Sequence, residues 1–147
     1  MNKIAIASDH AGLSGKEAIK KNLDELGVAY QDFGTHSQDS VDYPDYAEQV
    51  AKAVAAGEYE RGILVCGSGI GMEIAANKVP GIRAALAWNE ETARLSRMHN
   101  DANIIAVGAR TTPPETIDNI VRIFLNTDFE GGHHQRRIEK IAQLEKQ

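Results

Sequence analysis

Short apolar runs alternate along this chain with longer stretches whose apolar residues recur every three or four positions, a pattern that few folds accommodate. Runs at 4–8, 29–33, 62–66, 84–88 and 104–107 read as strands. Between them, Ile19, Leu23 and Leu26 keep helical spacing before Gly27, and Ala47, Val50, Ala51 and Val54 do so before Gly57. Both glycines read as helix stops. A short helix spans Glu90 to Met98, and Pro113-Pro114 opens another whose stripe is Ile117, Ile120, Val121, Phe124 and Leu125. A last helix follows Gly131-Gly132, with Ile138, Ile141 and Ala142 on one side. Strand and helix in strict alternation build βα units, and βα units build a parallel sheet.

The 147 residues make one ordinary domain, expected over 1–147, with no internal repeat or low-complexity linker. A 42% apolar and 25% charged composition is that of a globular protein rather than a disordered one. The net charge of -5 excludes a surface built throughout to neutralise nucleic-acid phosphates, so any anion site is local. No stretch approaches the ~20 apolar residues that a membrane helix needs. The first residues run straight into a strand, without the apolar stretch and cleavage site of a signal peptide. The single cysteine forms no internal disulfide, and a reducing cytoplasm is the expected compartment.

In parallel α/β sheets, ligands bind beyond the carboxyl ends of the strands. Polar residues collect there: Ser8-Asp9-His10 after the first strand, Gly34-Thr35-His36 after the second, and Cys66-Gly67-Ser68-Gly69-Ile70-Gly71 after the third. Glycines at 67, 69 and 71 let backbone N–H groups converge on a ligand at the start of the next helix, a cradle that favours negative charge. The loop is not a dinucleotide fingerprint, since Met72 stands where the third glycine belongs, and it lacks the Gly-Lys-Ser/Thr of nucleotide hydrolases. Cys66 sits at the positive end of that helix, where a thiol can serve as nucleophile or general base; the alternative is a small buried hydrophobe. Asp9 reads equally as a turn or helix cap, and His99-Asn100-Asp101 as a helix C-cap with Asn100 left-handed. His133, His134, Arg136 and Arg137 crowd the first turn of the last helix, where positive groups oppose the macrodipole, and this points to an anionic ligand. Tyr43 and His36 lie in loops above the sheet, while Met72, Met98 and Trp88 are assigned to packing.

With these residues in place, the chain resembles the type B ribose-5-phosphate isomerases, a family that includes galactose-6-phosphate and allose-6-phosphate isomerases. The likeness runs through Ser8-Asp9-His10, Asp42-Tyr43-Pro44, Cys66 to Gly71, Ala75-Ala76-Asn77-Lys78, Ser96 to Asn103, Gly108-Ala109-Arg110 and Gly131 to Arg137. The resemblance implies a three-layer α/β/α sandwich with a Rossmann-like five-stranded parallel sheet. It also implies a homodimer, or a dimer of dimers, whose active sites draw on both subunits, and no metal or organic cofactor. The implied reaction interconverts ribose 5-phosphate and ribulose 5-phosphate through an enediolate, a step of the pentose phosphate pathway. Cys66 is then the base, the Gly67 to Gly71 backbone holds the enediolate oxygen, and His99, from the partner, assists ring opening. Asp9 positions the ring oxygen or hydroxyls, Ser68 supplies a hydroxyl where many members have threonine, Asn100 binds substrate hydroxyls and Tyr43 lines the site. The implied phosphate ligands are His10, Arg110, His134 and Arg137.

One position departs from the family pattern: His133 stands where an arginine is usual. Arg136, three residues on, lies beside the face that His133 shares with Arg137 and can stand in for the missing guanidinium. Otherwise His133 loosens the phosphate grip, or reshapes the pocket toward allose 6-phosphate or galactose 6-phosphate, because imidazole lacks arginine's bidentate fork. Two readings from other classes stay open. A phosphocysteine carrier has a similar loop, but after the first strand of a smaller domain; a non-catalytic sugar-phosphate sensor would share every phosphate contact. A low-molecular-weight tyrosine phosphatase needs arginine where Met72 stands.

Overall fold

The computed structural model describes residues 3–146, so the outer ends of a 1–147 domain lie outside the described residues. Five strands, β1 (Ile4–Ser8), β2 (Tyr30–Asp32), β3 (Arg61–Cys66), β4 (Ala84–Leu86) and β5 (Ile104–Gly108), pair in parallel in the order β2-β1-β3-β5-β4. Period-two alternation sends their side chains to two separate cores. Ile4, Ile6, Ile63, Val65, Ile105 and Val107 meet helices α1 (Leu13–Leu26), α4 (Glu90–Met98) and α5 (Pro114–Asn126) on one face. Ala5, Ala7, Leu64, Cys66, Ile104 and Ala106 meet α2 (Tyr43–Ala55) and α3 (Ile70–Ala76) on the other. The result is the three-layer α/β/α sandwich, and helix α6 (His133–Leu144) follows at the end of the chain.

Helix α5 shows how local signals and packing agree. Pro114 starts it, where a missing N–H costs nothing, and all five residues of the expected stripe are buried. Each such burial is worth roughly 1.5–3 kcal/mol. Gly27 and Gly57 end their helices with φ of 70° and 79°, the left-handed conformation that side chains disfavour.

Three expectations need correction. Strand β4 stops at Leu86 rather than running to Trp88, because a reciprocal cap, with Asn89 Oδ1 accepting from Thr92 N–H, starts α4 at once. Trp88, in that connection, is 59% exposed and packs into neither core, while Met72 is fully buried as expected. In the turn after α4, Asp101 adopts positive φ, at 47°, and His99 is the right-handed C-cap; Asn100 is not the left-handed residue. Leu26 and Ile141 end on the exposed side of their stripes.

Lys16 on α1 is fully buried, an unusual fate for lysine. Its ammonium donates to Asp32 Oδ1 at 2.8 Å and to the Thr35 carbonyl, and Lys20 reaches Asp32 Oδ2 at 2.9 Å. Burial alone would push the Asp32 carboxyl up, but the donors from Lys16, Lys20 and the Gly34 N–H outweigh it and hold it below its ordinary range. This cluster pins the segment after β2 against α1. Among the described residues, no helix is long and apolar enough to cross a membrane.

Candidate active site

From β1 the chain moves outward to β2, and from β3 to the opposite half of the sheet, so connections diverge between these adjacent strands. That divergence leaves a crevice at their carboxyl ends. Ser8 lies opposite Val65 in the ladder, so Asp9-His10 and Cys66-Gly67 leave the sheet side by side. Asp9 is buried; its Oδ1 accepts from Gly12 N–H at 2.9 Å, closing the turn that leads into α1. His10 Nδ1 accepts from Val41 N–H at 3.1 Å, which assigns the ring proton of neutral His10 to Nε2. His10 thereby offers an N–H donor on its other nitrogen.

Between β3 and α3 the glycine loop folds back on the cysteine. Gly69, with φ of 81°, caps α3 and donates its N–H to Cys66 Sγ at 3.1 Å. The Ser68 hydroxyl accepts from Ile70 N–H at 3.2 Å, and Arg110 N–H donates to the Gly67 carbonyl at 2.9 Å, tying the loop to the end of β5. A Cβ on Gly71 would sit 2.5 Å from the Tyr43 ring, so glycine there makes room for the aromatic wall.

These elements enclose a cavity of about 620 Å³, within the range of small-molecule sites. Of the residues picked out in the sequence, Asp9, His10, Tyr43, Cys66, Gly67, Ser68, Gly71 and Arg110 line it. Cys66 is only 5% exposed, so its sulfur is one wall of the cavity rather than a free surface group. Gly69 does not line the cavity; its N–H is turned onto the sulfur. Ala11, Thr111 and Ile74, none of them a candidate in the sequence, also line it, as does Ile70 of the glycine motif. Thr111 adjoins the Gly108-Ala109-Arg110 motif, and the spacing of Ile70 and Ile74 on one face of α3 was the available signal.

The other candidates gather elsewhere, where α4 ends and α6 begins. His99 caps α4, and its ring stacks on His134 with centroids 4.2 Å apart; His133 continues the row at 4.0 Å from His134. Burial and then the neighbouring His133 and His99 push His134 below its ordinary value. Arg97, buried, braces this turn through Asp101 at 2.8 Å and the Ala102 and Thr127 carbonyls, with Arg83 holding Asp101 from the other side. Asn100 lines a different cavity, of about 340 Å³, with Arg83 and Ile141. His133, Arg136 and Arg137 are exposed on α6. None of these six candidates lines the cavity around Cys66 in the same chain.

A model of the ribose/galactose isomerase family matches residues 4–141. The chain belongs to the ribose/galactose isomerase family. Among family relatives, it is 52% identical to a putative sugar phosphate isomerase of Bacillus subtilis, the match covering 97% of each chain. It is 48% identical to ribose-5-phosphate isomerase B of Escherichia coli, over 99% of this chain and 97% of that one. A ribose-5-phosphate isomerase B structure from Clostridium thermocellum superposes with a TM-score of 0.97 at 51% identity, covering 98% of this chain and 97% of the other. A Mycoplasma genitalium ribose-5-phosphate isomerase B structure with bound ribulose 5-phosphate superposes at 0.95 with 44% identity, covering 99% and 97%. The ribose/galactose isomerase fold therefore extends over nearly the whole chain, including both groups of candidate residues.

Proposed function

We propose that this chain, as one domain of 147 residues, is an aldose-ketose isomerase that interconverts D-ribose 5-phosphate and D-ribulose 5-phosphate, with Cys66 as the base. The observation that carries this reading is the Cys66 sulfur in the wall of a cavity that also presents a carboxylate, a hydroxyl, an imidazole N–H and a guanidinium. The names of the Escherichia coli and Clostridium thermocellum relatives support the substrate, as does the ligand of the Mycoplasma genitalium structure.

In the opened sugar the C2 hydrogen is acidified by the adjacent carbonyl. Cys66 Sγ takes that proton, and the freed electron pair forms the C1–C2 double bond while the carbonyl pair moves onto O1. A proton passes from O2 to O1 of the enediolate, and the thiol returns its proton to C1 as the carbonyl forms at C2. Negative charge on the enediolate oxygen peaks near the transition state, where fixed donors help most. Gly67, Ser68 and Gly71 line the cavity, and we assign the donor role to the two backbone N–H groups and the Ser68 hydroxyl. His10 and Arg110 hold the phosphate, and Asp9 orients the ring oxygen or hydroxyls before opening.

His99, Asn100, His134 and Arg137 complete the site from the partner of a homodimer, with Arg136 or His133 at the phosphate edge. Two observations support this division. These residues do not line their own chain's Cys66 cavity, and Ile70 and Ile74 on its rim are 51% and 56% exposed, an apolar surface suited to a subunit contact. The reaction needs no added cofactor, and the cytoplasm supplies its substrate.

Rates measured side by side on ribose 5-phosphate, allose 6-phosphate and galactose 6-phosphate test the assignment, with solvent hydrogen exchange at C2 as the readout of proton transfer. Ribose 5-phosphate is expected to be fastest. Absence of exchange with all three sugars refutes the isomerase reading.

A further inference from the structure

We propose that His99, Glu130 and His134 form an inhibitory binding site for a divalent transition-metal ion, zinc being the best fit. One ligand atom from each lies within 4.8 Å of the others, and His134 Nε2 is 3.6 Å from Glu130 Oε2. Two imidazoles and one carboxylate are a zinc donor set, with the fourth tetrahedral position left to water. Ligands about 2.0–2.1 Å from zinc stand roughly 3.3–3.4 Å from one another. The pair from His134 and Glu130 is already near that spacing. The His99 ring, stacked on His134 with planes 13° apart, turns about its Cβ–Cγ bond to bring its lone pair inward.

The three ligands come from separate segments that the backbone holds together. His99 caps α4, Glu130 N–H donates to the Met98 carbonyl at 3.1 Å, and His134 stands in the first turn of α6, its N–H on the Gly131 carbonyl at 3.2 Å. Their backbone positions are therefore set before metal arrives, so that rotation of the His99 ring is the main rearrangement binding requires. The Glu130 carboxylate is 45% exposed and the His134 side chain 11%, so solvent and ions reach the cluster from the carboxylate side. Arg137 and His133 are the nearby groups that oppose a cation, and the Glu130 charge offsets them.

This inference rests on His99 acting as the acid-base group of ring opening. Coordination occupies the nitrogen lone pair that must accept and return a proton, and it draws His134 away from the phosphate. Zinc then inhibits without changing the fold, and a chelator reverses it.

The test uses the full chain, freed of metal, in a buffer without phosphate. Zinc chloride is titrated calorimetrically into Cys66→Ala, which removes the thiol as a rival ligand, and into Cys66→Ala/Glu130→Ala. One zinc per chain is expected in the first, with affinity reduced at least about tenfold in the second, the loss already seen when a mere supporting partner of a ligand is removed. In activity assays Glu130→Ala should turn over like the parent, since Glu130 has no part in the reaction, yet require at least about tenfold more zinc for half inhibition. No binding in Cys66→Ala, or equal zinc sensitivity with and without Glu130, overturns the proposal. Zinc bound at this site while the parent chain, with Cys66 intact, shows no turnover refutes the isomerase reading and upholds the site; parent turnover indifferent to zinc refutes the inhibitory site alone.

Discussion

The backbone N–H of Gly69 meets Cys66 Sγ at 3.1 Å, so the residue that caps α3 also orients the only thiol of the chain. On the proposed reading, replacing the sulfur removes the base and leaves the cavity. Cys66→Ala should lose turnover by about two or more orders of magnitude while still binding ribose 5-phosphate, the scale expected for a general base. Steady-state rates and a binding titration check this together. A sugar-phosphate sensor would instead bind and signal unchanged in the variant, and full retained turnover would remove Cys66 from the chemistry.

The three loop glycines carry different constraints and should respond differently to alanine. At Gly69 a Cβ would meet Leu86 at 2.6 Å and the Val107 backbone at 2.9 Å, in a backbone with φ of 81°. Overpacking and backbone strain together predict a loss of about 3 kcal/mol for Gly69→Ala. At Gly67 the nearest atoms are 3.5 Å away, ordinary contact, and stability should change by less than about 0.5 kcal/mol. Gly71→Ala displaces the Tyr43 ring, which is 39% exposed and free to shift, so it should raise KM more than it lowers stability. Denaturant titrations paired with KM values separate the three; an equal loss of stability at all three positions would contradict these contacts.

Sequence pattern and structure agree where local and tertiary forces point the same way. The β1, β3 and β5 runs are apolar throughout because both faces of the sheet are covered, and the residues at their ends stand out as polar. Strand order was not legible: β5 lies between β3 and β4, and nothing in either apolar run encodes its neighbour. Lys16 was not legible either, because lysine is a surface residue until a carboxylate and a carbonyl, here from Asp32 and Thr35, meet its ammonium in the fold. Trp88 was misread because a large aromatic usually packs, whereas the Asn89-Thr92 cap carries it outside. Gly131-Gly132 announced the start of α6, but the stacking of His134 on His99 joins residues from different helices and appears only in three dimensions.

The Lys16-Asp32 pair predicts both a stability loss and its pH dependence. Lys16→Met leaves Asp32 with Lys20 but strips the buried Thr35 carbonyl of its donor, and should cost about 3 kcal/mol, the low end for breaking a buried pair. Asp32 has a folded-state pKa below its unfolded value, so its contribution is present above pH ~4 and disappears as pH falls through the folded value. Denaturation at neutral pH should therefore separate wild type from Asp32→Asn, and the gap should close on acidification. A gap that widens in acid would reverse the assigned sign.

On the proposed reading, Arg137 and His133 bear on phosphate affinity rather than on the proton transfer. The phosphate does not react, and its binding energy is largely shared by ground and transition states. Arg137→Ala should raise KM for ribose 5-phosphate with little change in kcat. His133→Arg, which restores a bidentate fork, should lower KM if the imidazole weakens the grip. A shift of preference between five- and six-carbon sugars would instead assign position 133 to pocket shape, and an unchanged KM in Arg137→Ala would remove that residue from the site.

Subunit mixing decides whether the two groups of candidate residues meet across a dimer. Cys66 lines a cavity from which His99 of the same chain is missing, so a working site is expected to pair Cys66 of one protomer with His99 of its partner. Cys66→Ala and His99→Asn homodimers should each turn over poorly. Unfolded together and refolded at equal concentration, half of the dimers become mixed, and in each mixed dimer one site inherits both intact residues while the other inherits neither. Activity should recover to about a quarter of the wild-type level, the value fixed by two-fold symmetry. Were Cys66 and His99 to act within one chain, every site in every mixed dimer would lack one of them, and refolding would restore nothing.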